Sequence, residues 1–462
     1  MERTTAKKNK YEIDMCNGTI MDKLISFSLP LMLSGILQLM FNAVDIIVVG
    51  RFSGSQALAA VGSTSALINV FTNLFIGISL GANVLTARFY AAGREKEVSE
   101  TVHTAITLAL VSGIIMALVG LVFSKGALAL MGTPDDVIGL SALYMRIYFL
   151  GMPFFMLYNY GAAILRAVGD TKRPLLFLMI AGVINACLNM VLVIVFKLGV
   201  AGVAIATVIS QMISCVLVLR CLCRSESSYR LCFSELGMKG CYLKQIFSVG
   251  VPAGIQSTVI NFSNVLLQSS VNSFGSTAMA GYTAANNLLG FLYVSVNSIT
   301  QACMSFTSQN YGVGKLKRMD RVLADCMILS VVVAVVLGCI CYGFGPEILQ
   351  IYTEDAEVIA CGMEILAYTT ITYFLCGWMD LFPGALRGMG YSAVPMVLSV
   401  IGTVGTRVVW IFGIFPYHRS LAILFISYPA SWIITIILQV VCFYFVRRRV
   451  HRRSQTPAGQ EG

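Results

Sequence analysis

Hydrophobic and polar positions along the chain segregate into long blocks. Mainly apolar windows of about 20 residues or more, enough to cross a bilayer as a helix, recur near residues 24–50, 59–90, 99–123, 137–165, 175–197, 199–222, 245–272, 279–310, 322–345, 358–388, 393–416 and 420–446. The pattern predicts an all-α integral membrane protein of twelve transmembrane helices. The fifth and sixth windows are separated by little more than Lys197 to Gly199.

Polar residues inside these windows are not scattered. In the first, Ser34, Gln38, Asn42 and Asp45 fall at spacings of four, four and three, which places them on one face of a helix. Asp45 is the one acid of that window, and a charged group at membrane depth marks an ion or substrate path by default. The structural alternative is an aspartate satisfied by neighbouring helices. The seventh window repeats the amide stripe with Asn264, Gln268 and Asn272, and Asn261 and Gln256 lie nearby. Further amides follow in the second window (Asn69, Asn73, Asn83) and the eighth (Asn286, Asn287, Asn297, Gln301), some of which are expected only to bond other helices. Two more deep charges are Asp380 in the tenth window and Arg407 in the eleventh, whereas Glu364 lies closer to a membrane edge. Two readings stand for the Asp380 and Arg407 couple. Either they pair and lock their bundle, or Asp380 is free to meet a cationic substrate while Arg407 bonds backbone carbonyls.

The two halves of the chain repeat. Pro30 corresponds to Pro252 at an offset of 222, and Gly54 to Gly275, Tyr90 to Tyr311, Leu165 to Leu386, Gly169 to Gly390 and Pro174 to Pro395 at 221. Six helices per half, an even number, give both halves the same orientation, a parallel repeat that suits alternating access. The expected organisation is a cytoplasmic tail (1–23), a first lobe (24–222), a cytoplasmic linker (223–244), a second lobe (245–446) and a basic tail (447–462). The lobes differ in their acids: Leu267 stands where Asp45 stands, and Asp380 stands where Asn159 stands.

Composition fits this pattern: 57% of the 462 residues are hydrophobic and 12% charged, with mean hydropathy +0.81, which excludes a soluble globule. The net charge of +10 reads as topology and not as a nucleic-acid partner. One set of connections, with both termini, holds 26 Lys and Arg, while the other holds only Arg51, Lys125, Lys197 and Arg419. By the positive-inside rule both termini face the cytoplasm, in a plasma (inner) membrane. The run from Arg447 to Arg453 reads as a stop-transfer anchor after the last helix. Residues 1–23 lack a short apolar region with a small-residue cleavage site, so the first helix is expected to be an uncleaved anchor. The Asn17 sequon would then go unused. None of the 14 cysteines has partners at zinc-like spacing, and they read as packing residues.

The doubled lobes, Val44-Asp45 with Val49-Gly50 ending the first helix, the segment from Leu165 to Pro174 (LRAVGDTKRP) and that from Gly199 to Thr207 (GVAGVAIAT) resemble the multidrug and toxic compound extrusion (MATE) transporters. The resemblance implies an antiporter that expels amphipathic, often cationic compounds in exchange for H⁺ or Na⁺. It also implies a first-lobe coupling-cation site formed by the helix-one aspartate, an Asn-x-x-x-Asp pair on helix five and a hydroxyl on helix six. The matching positions are Asp45, Asn185, Asn189 and Thr207, so the second member of the pair is here an amide. The helix-seven glutamate of some members is absent. A carboxylate among neutral oxygen donors can trade a proton for a cation, or hold Na⁺ at Asp45. Gln38, Asn42, Asn264, Gln268, Asp380 and Arg407 are the candidate substrate-cavity residues. No cofactor beyond the coupling ion is expected, and the expected partners are amphipathic small molecules and the bilayer, in a monomer. Two rivals are a lipid-linked precursor flippase, which calls for a strongly cationic cavity, and an intramembrane transferase, which calls for clustered acids holding a metal.

Overall fold

The computed structural model describes residues 11–455, and among them no strand occurs. The first half contains α1 (Met21–Phe52), α2 (Ser55–Ala91), α3 (Glu95–Leu130), α4 (Asp135–Leu150), α5 (Met152–Ala167), α6 (Lys172–Asn189) and α7 (Gly199–Cys223). The second contains α8 (Gly240–Asn272), α9 (Ser276–Gly312), α10 (Leu316–Gly343), the short α11 (Gly345–Gln350), α12 (Ala356–Thr369), α13 (Tyr373–Gly388), α14 (Ala393–Ser399), α15 (Thr406–Val409) and α16 (Leu421–Gln455). Eight continuous helical segments are long and apolar enough to cross a membrane, and two bent pairs, α4 with α5 (47°) and α12 with α13 (50°), bring the number to ten. The expected seventh and eighth spans are α8 and α9, 33 and 37 residues long. They have the length to cross, but their many Asn, Gln, Ser and Thr side chains hold their hydropathy below that of the others.

Two predicted spans thus prove to be broken. The breaks fall at Gly151, just before Pro153, and at Thr370 to Thr372, which the offset of 221 makes equivalent positions. The repeat is also written in the backbone. Gly54 and Gly275, Gly93 and Gly314, and Gly169 and Gly390 share positive φ in pairs at that offset. The eleventh span is regular only in part: π-helical turns at Val400–Gly405 and Trp410–Ile414 flank α15. A single π-helical turn, Met190–Val195, extends α6.

The chain forms two compact units, residues 1–14 with 33–254, and 15–32 with 255–462. In the first, α3 packs on α4 and α5 with almost no gap: a Cβ on Gly113 would lie 2.5 Å from the Cα of Pro153. Phe149, Met152, Tyr160 and Ile164 fill the core there. Small residues at such crossings let backbones approach, which is how helices associate where solvent is as apolar as the side chains. In the second unit α9 packs on α10, α12 and α13. Tyr373 meets Trp432 edge to face at 5.6 Å beside Leu292, Leu366 and Phe425.

The N-terminal tail, the linker and the basic C-terminal run each make specific contacts. Glu12 accepts hydrogen bonds from the Tyr90 and Tyr229 hydroxyls, both 2.7 Å, and the Ile13 amide donates to the Gly169 carbonyl. Met15, fully buried in the second unit, gives its carbonyl to Asn310 and Arg318. The linker is held on α3, where the Cys232 amide donates to Nε2 of the buried His103 at 3.0 Å. The basic C-terminal run is helical, for α16 continues to Gln455, and Arg447 forms a fork with Asp320 at 2.6 and 2.5 Å. Residues 1–10 and 456–462 of the two tails lie outside the described residues.

Candidate functional site: a carboxylate cluster in the first unit

In the first unit α1, α6 and α7 converge on Asp45, whose residue is only 9% exposed. Asn185 and Asn189 are one turn apart on α6 and therefore share a face. The Asn189 side-chain NH₂ donates both to Asp45 Oδ1 and, at 3.1 Å, to Asn185 Oδ1. The Thr207 hydroxyl on α7 lies 3.4 Å from Asp45 Oδ2 and 3.0 Å from the Val203 carbonyl, so its one proton serves one acceptor at a time. The structure brings these four predicted residues together. The π-helical turn of α6 starts directly after Asn189. Widened turns of this kind interrupt the regular ladder and recur at functional sites.

Asp45 meets two neutral donors and no basic side chain among the described residues. An ionised carboxylate here is held by dipoles alone. At the same point Asn189 Oδ1 is buried without a hydrogen-bond partner, although buried acceptors are seldom left unmet. A proton on Asp45 or a cation beside it would supply what that oxygen lacks. For its oxygen to accept from a protonated carboxyl the amide would have to turn over. Asp45, Asn189, Asn185 and Thr207 offer oxygen atoms only, a hard donor set suited to H⁺ or an alkali ion. No cluster of three or more His, Cys, Asp or Glu that could hold a metal occurs among the described residues. Tyr144 and Tyr148 of α4, stacked at 6.1 Å, are further ionisable groups that interact electrostatically with Asp45. Sequence reasoning missed them, although their spacing of four places both on one face of α4.

The other stripe members of α1 do not join. Gln38 and Asn42 are exposed and outside the hydrogen-bonded cluster. Asn83 is structural, buried and donating to the Ala163 carbonyl at 2.8 Å.

In the second unit the paired reading of Asp380 and Arg407 is corrected, and of the other reading only the backbone-carbonyl partners of Arg407 are. They do not pair. Arg407, 3% exposed, donates from Nε to Ser431 (3.4 Å) and from Nη1 to Ser263 (3.2 Å) and Asn264 (2.7 Å), with its guanidinium 4.7 Å from the Tyr428 ring centroid. Its partners are thus side-chain oxygens and an aromatic face rather than backbone carbonyls. The reason is local: α8 and α16 present Ser263, Asn264, Ser431 and Tyr428 to α15, and the Arg407 guanidinium donates to the acceptors it meets there and stacks on the ring. The half-buried Asp380 has Arg387 as its basic electrostatic partner, and Arg387 in turn donates from Nη2 to Gln256 at 2.6 Å. Of the predicted residues here, Asn264 and Arg407 come together, whereas Gln268 and Asp380 stay outside that cluster.

The MatE family model matches residues 30–191 and 252–412, the two repeated halves. The chain belongs to the MATE family. It is 32% identical to the probable multidrug resistance protein YoeA of Bacillus subtilis, over 92% of this chain and 93% of that one. To the multidrug export protein MepA of Staphylococcus aureus (strain NCTC 8325 / PS 47) it is 22% identical, over 82% and 84%. An outward-facing structure of a multidrug resistance MATE family transporter superposes with a TM-score of 0.87 at 19% identity, covering 98% of this chain and all of that one. This MATE chain is accordingly a multi-pass membrane protein of a transporter family, with two repeated all-helical lobes.

Proposed function

We propose that the protein is a secondary multidrug efflux antiporter, exporting amphipathic, cationic compounds in exchange for H⁺, or more weakly Na⁺, by alternating access in the plasma membrane with both termini cytoplasmic. The observation that carries the reading is the buried Asp45, bonded only by neutral donors, beside an Asn189 oxygen with no partner. A carboxylate so placed binds one cation, and a charge buried without one is costly. Loading and unloading of Asp45 therefore change the energy of the first lobe. That is what coupling requires: a ligand moves a two-state equilibrium only through its differential affinity for the two states.

A proton needs one acceptor and forms a covalent bond, whereas Na⁺ needs a shell of oxygens around a single negative charge. With an amide, Asn189, where the family resemblance implies a second carboxylate, H⁺ is the favoured driving ion. The multidrug names of YoeA and MepA support the substrate class. The test is dye transport into inverted membrane vesicles with pH and Na⁺ gradients imposed separately. The proposal expects uptake driven by the pH gradient in Na⁺-free buffer, and uptake that requires Na⁺ contradicts the choice of ion.

A further inference from the structure

The offsets that align the two halves give the second unit's counterpart of the Asp45 site. Leu267 stands opposite Asp45 at 222, while Tyr428 stands opposite Thr207, and Arg407 opposite Ala186, the neighbour of Asn185, at 221. Where the first lobe has a carboxylate among neutral donors, the second has a guanidinium among neutral acceptors. The local backbone is disturbed in both: one π-helical turn follows Asn189, and one lies on each side of α15, which carries Arg407.

Arg407 is 97% enclosed, yet no carboxylate lies within salt-bridge distance of it among the described residues. The groups around it are the phenols of Tyr428, Tyr282 and Tyr373 and the thiol of Cys376, none of them a carboxylate, and Tyr282 and Tyr428 are bonded to each other at 3.0 Å. Its charge is therefore uncompensated. Nε and Nη1 are used on Ser431, Ser263 and Asn264, but Nη2 has no acceptor among the described residues. Buried charges are ordinarily paired, and a guanidinium edge matches the two oxygens of a carboxylate.

We propose that Arg407 is the anchor of an anion-accepting site in the second lobe that receives the carboxylate of an amphiphilic substrate, with Asn264, Ser263 and Ser431 fixing the guanidinium and Tyr428 covering its face. Its consequence is that zwitterionic amphiphiles, cationic at one end and carboxylate-bearing at the other, are bound in preference to their esters. The substrate class rests on the efflux reading, but the site needs neither a gradient nor a particular coupling ion.

The test uses the full-length protein purified in detergent and two rhodamine dyes that share a cationic ring, one with a free carboxylate and one with that carboxylate as its ethyl ester. Fluorescence polarisation gives the two affinities. A charge-assisted bond retained in the complex should favour the free acid roughly tenfold or more, and Arg407→Gln should remove the preference by lowering the affinity for the acid more than that for the ester. Arg407→Lys, which keeps the charge and loses the fork, should reduce the preference and provides a reading where the glutamine variant does not fold. Equal affinities in the natural protein overturn the proposal, as does a preference that survives Arg407→Gln or stays full in Arg407→Lys. Ester binding without preference counts against this site alone, whereas failure of both dyes to bind counts against the efflux reading as well.

Discussion

Replacing Asn189 by Asp places a second carboxylate next to Asp45, and its effect can be worked from the contacts around it. The Asn189 side chain is in hydrogen-bond contact with both Asp45 and Asn185, so an added charge would stand a few Å from any ion held at Asp45. At about 4 Å and an effective dielectric near 20, one unit charge contributes on the order of 4 kcal/mol, close to three decades of affinity at about 1.4 kcal/mol each. In the ion-free variant the two carboxylates repel, and a cation that relieves this gains further. Reorienting the Asn185 amide to donate to the new acid works the other way. We expect a gain in Na⁺ affinity of roughly one to three decades. Efflux would then shift from a process driven by a pH gradient alone to one accelerated by inward Na⁺. The assay is dye uptake into inverted vesicles across a Na⁺ titration at fixed pH gradient, with membrane insertion checked by immunoblot. A natural protein that already requires Na⁺ refutes the reasoning, and so does an inserted Asn189→Asp variant that ignores Na⁺.

Two further outcomes concern stability. Arg173→Ala removes the ion-pair partner of the fully buried Asp170, so it should cost about 3–5 kcal/mol, seen as a lower melting temperature in detergent, with Arg173→Lys recovering part of the loss. Gly113→Leu should sharply reduce folded yield, because even a Cβ there would meet the Pro153 backbone, whereas Gly126→Ala, with nothing within 4 Å of the added carbon, should leave yield unchanged.

The fold was legible because its determinants are long-range patterns: apolar windows long enough to span, and a repeat that carries Pro30 to Pro252 and Pro174 to Pro395. Hydropathy could not show the bends at Gly151 and Thr370 to Thr372, since a broken and a straight span have the same composition. The Asp45 cluster was legible in membership but not in bonding. Spacing puts Asn185 and Asn189 on one face of a helix, yet the partnerless Asn189 oxygen depends on how α1 and α7 approach that face. Around Arg407 the missing information was tertiary. Ser263, Ser431 and Tyr428 come from α8 and α16, and no local pattern ties them to α15, though alignment of Tyr428 with Thr207 was a signal available in the repeat. The docked segment from Glu12 to Gly18 was obscured for another reason. It looks like a polar tail, and its partners, such as Tyr90, Tyr229 and Arg318, are distant in sequence.

Asp45→Asn, which keeps the side chain's shape, tests most directly whether loading of Asp45 drives transport. In proteoliposomes of purified protein, dye export and the accompanying proton movement are followed together, the latter with an entrapped pH indicator, under an imposed pH gradient. The natural protein should link the two, and Asp45→Asn, inserted at equal level and still binding dye, should show no gradient-driven export. Normal export coupled to proton movement in that variant would contradict a driving role for Asp45.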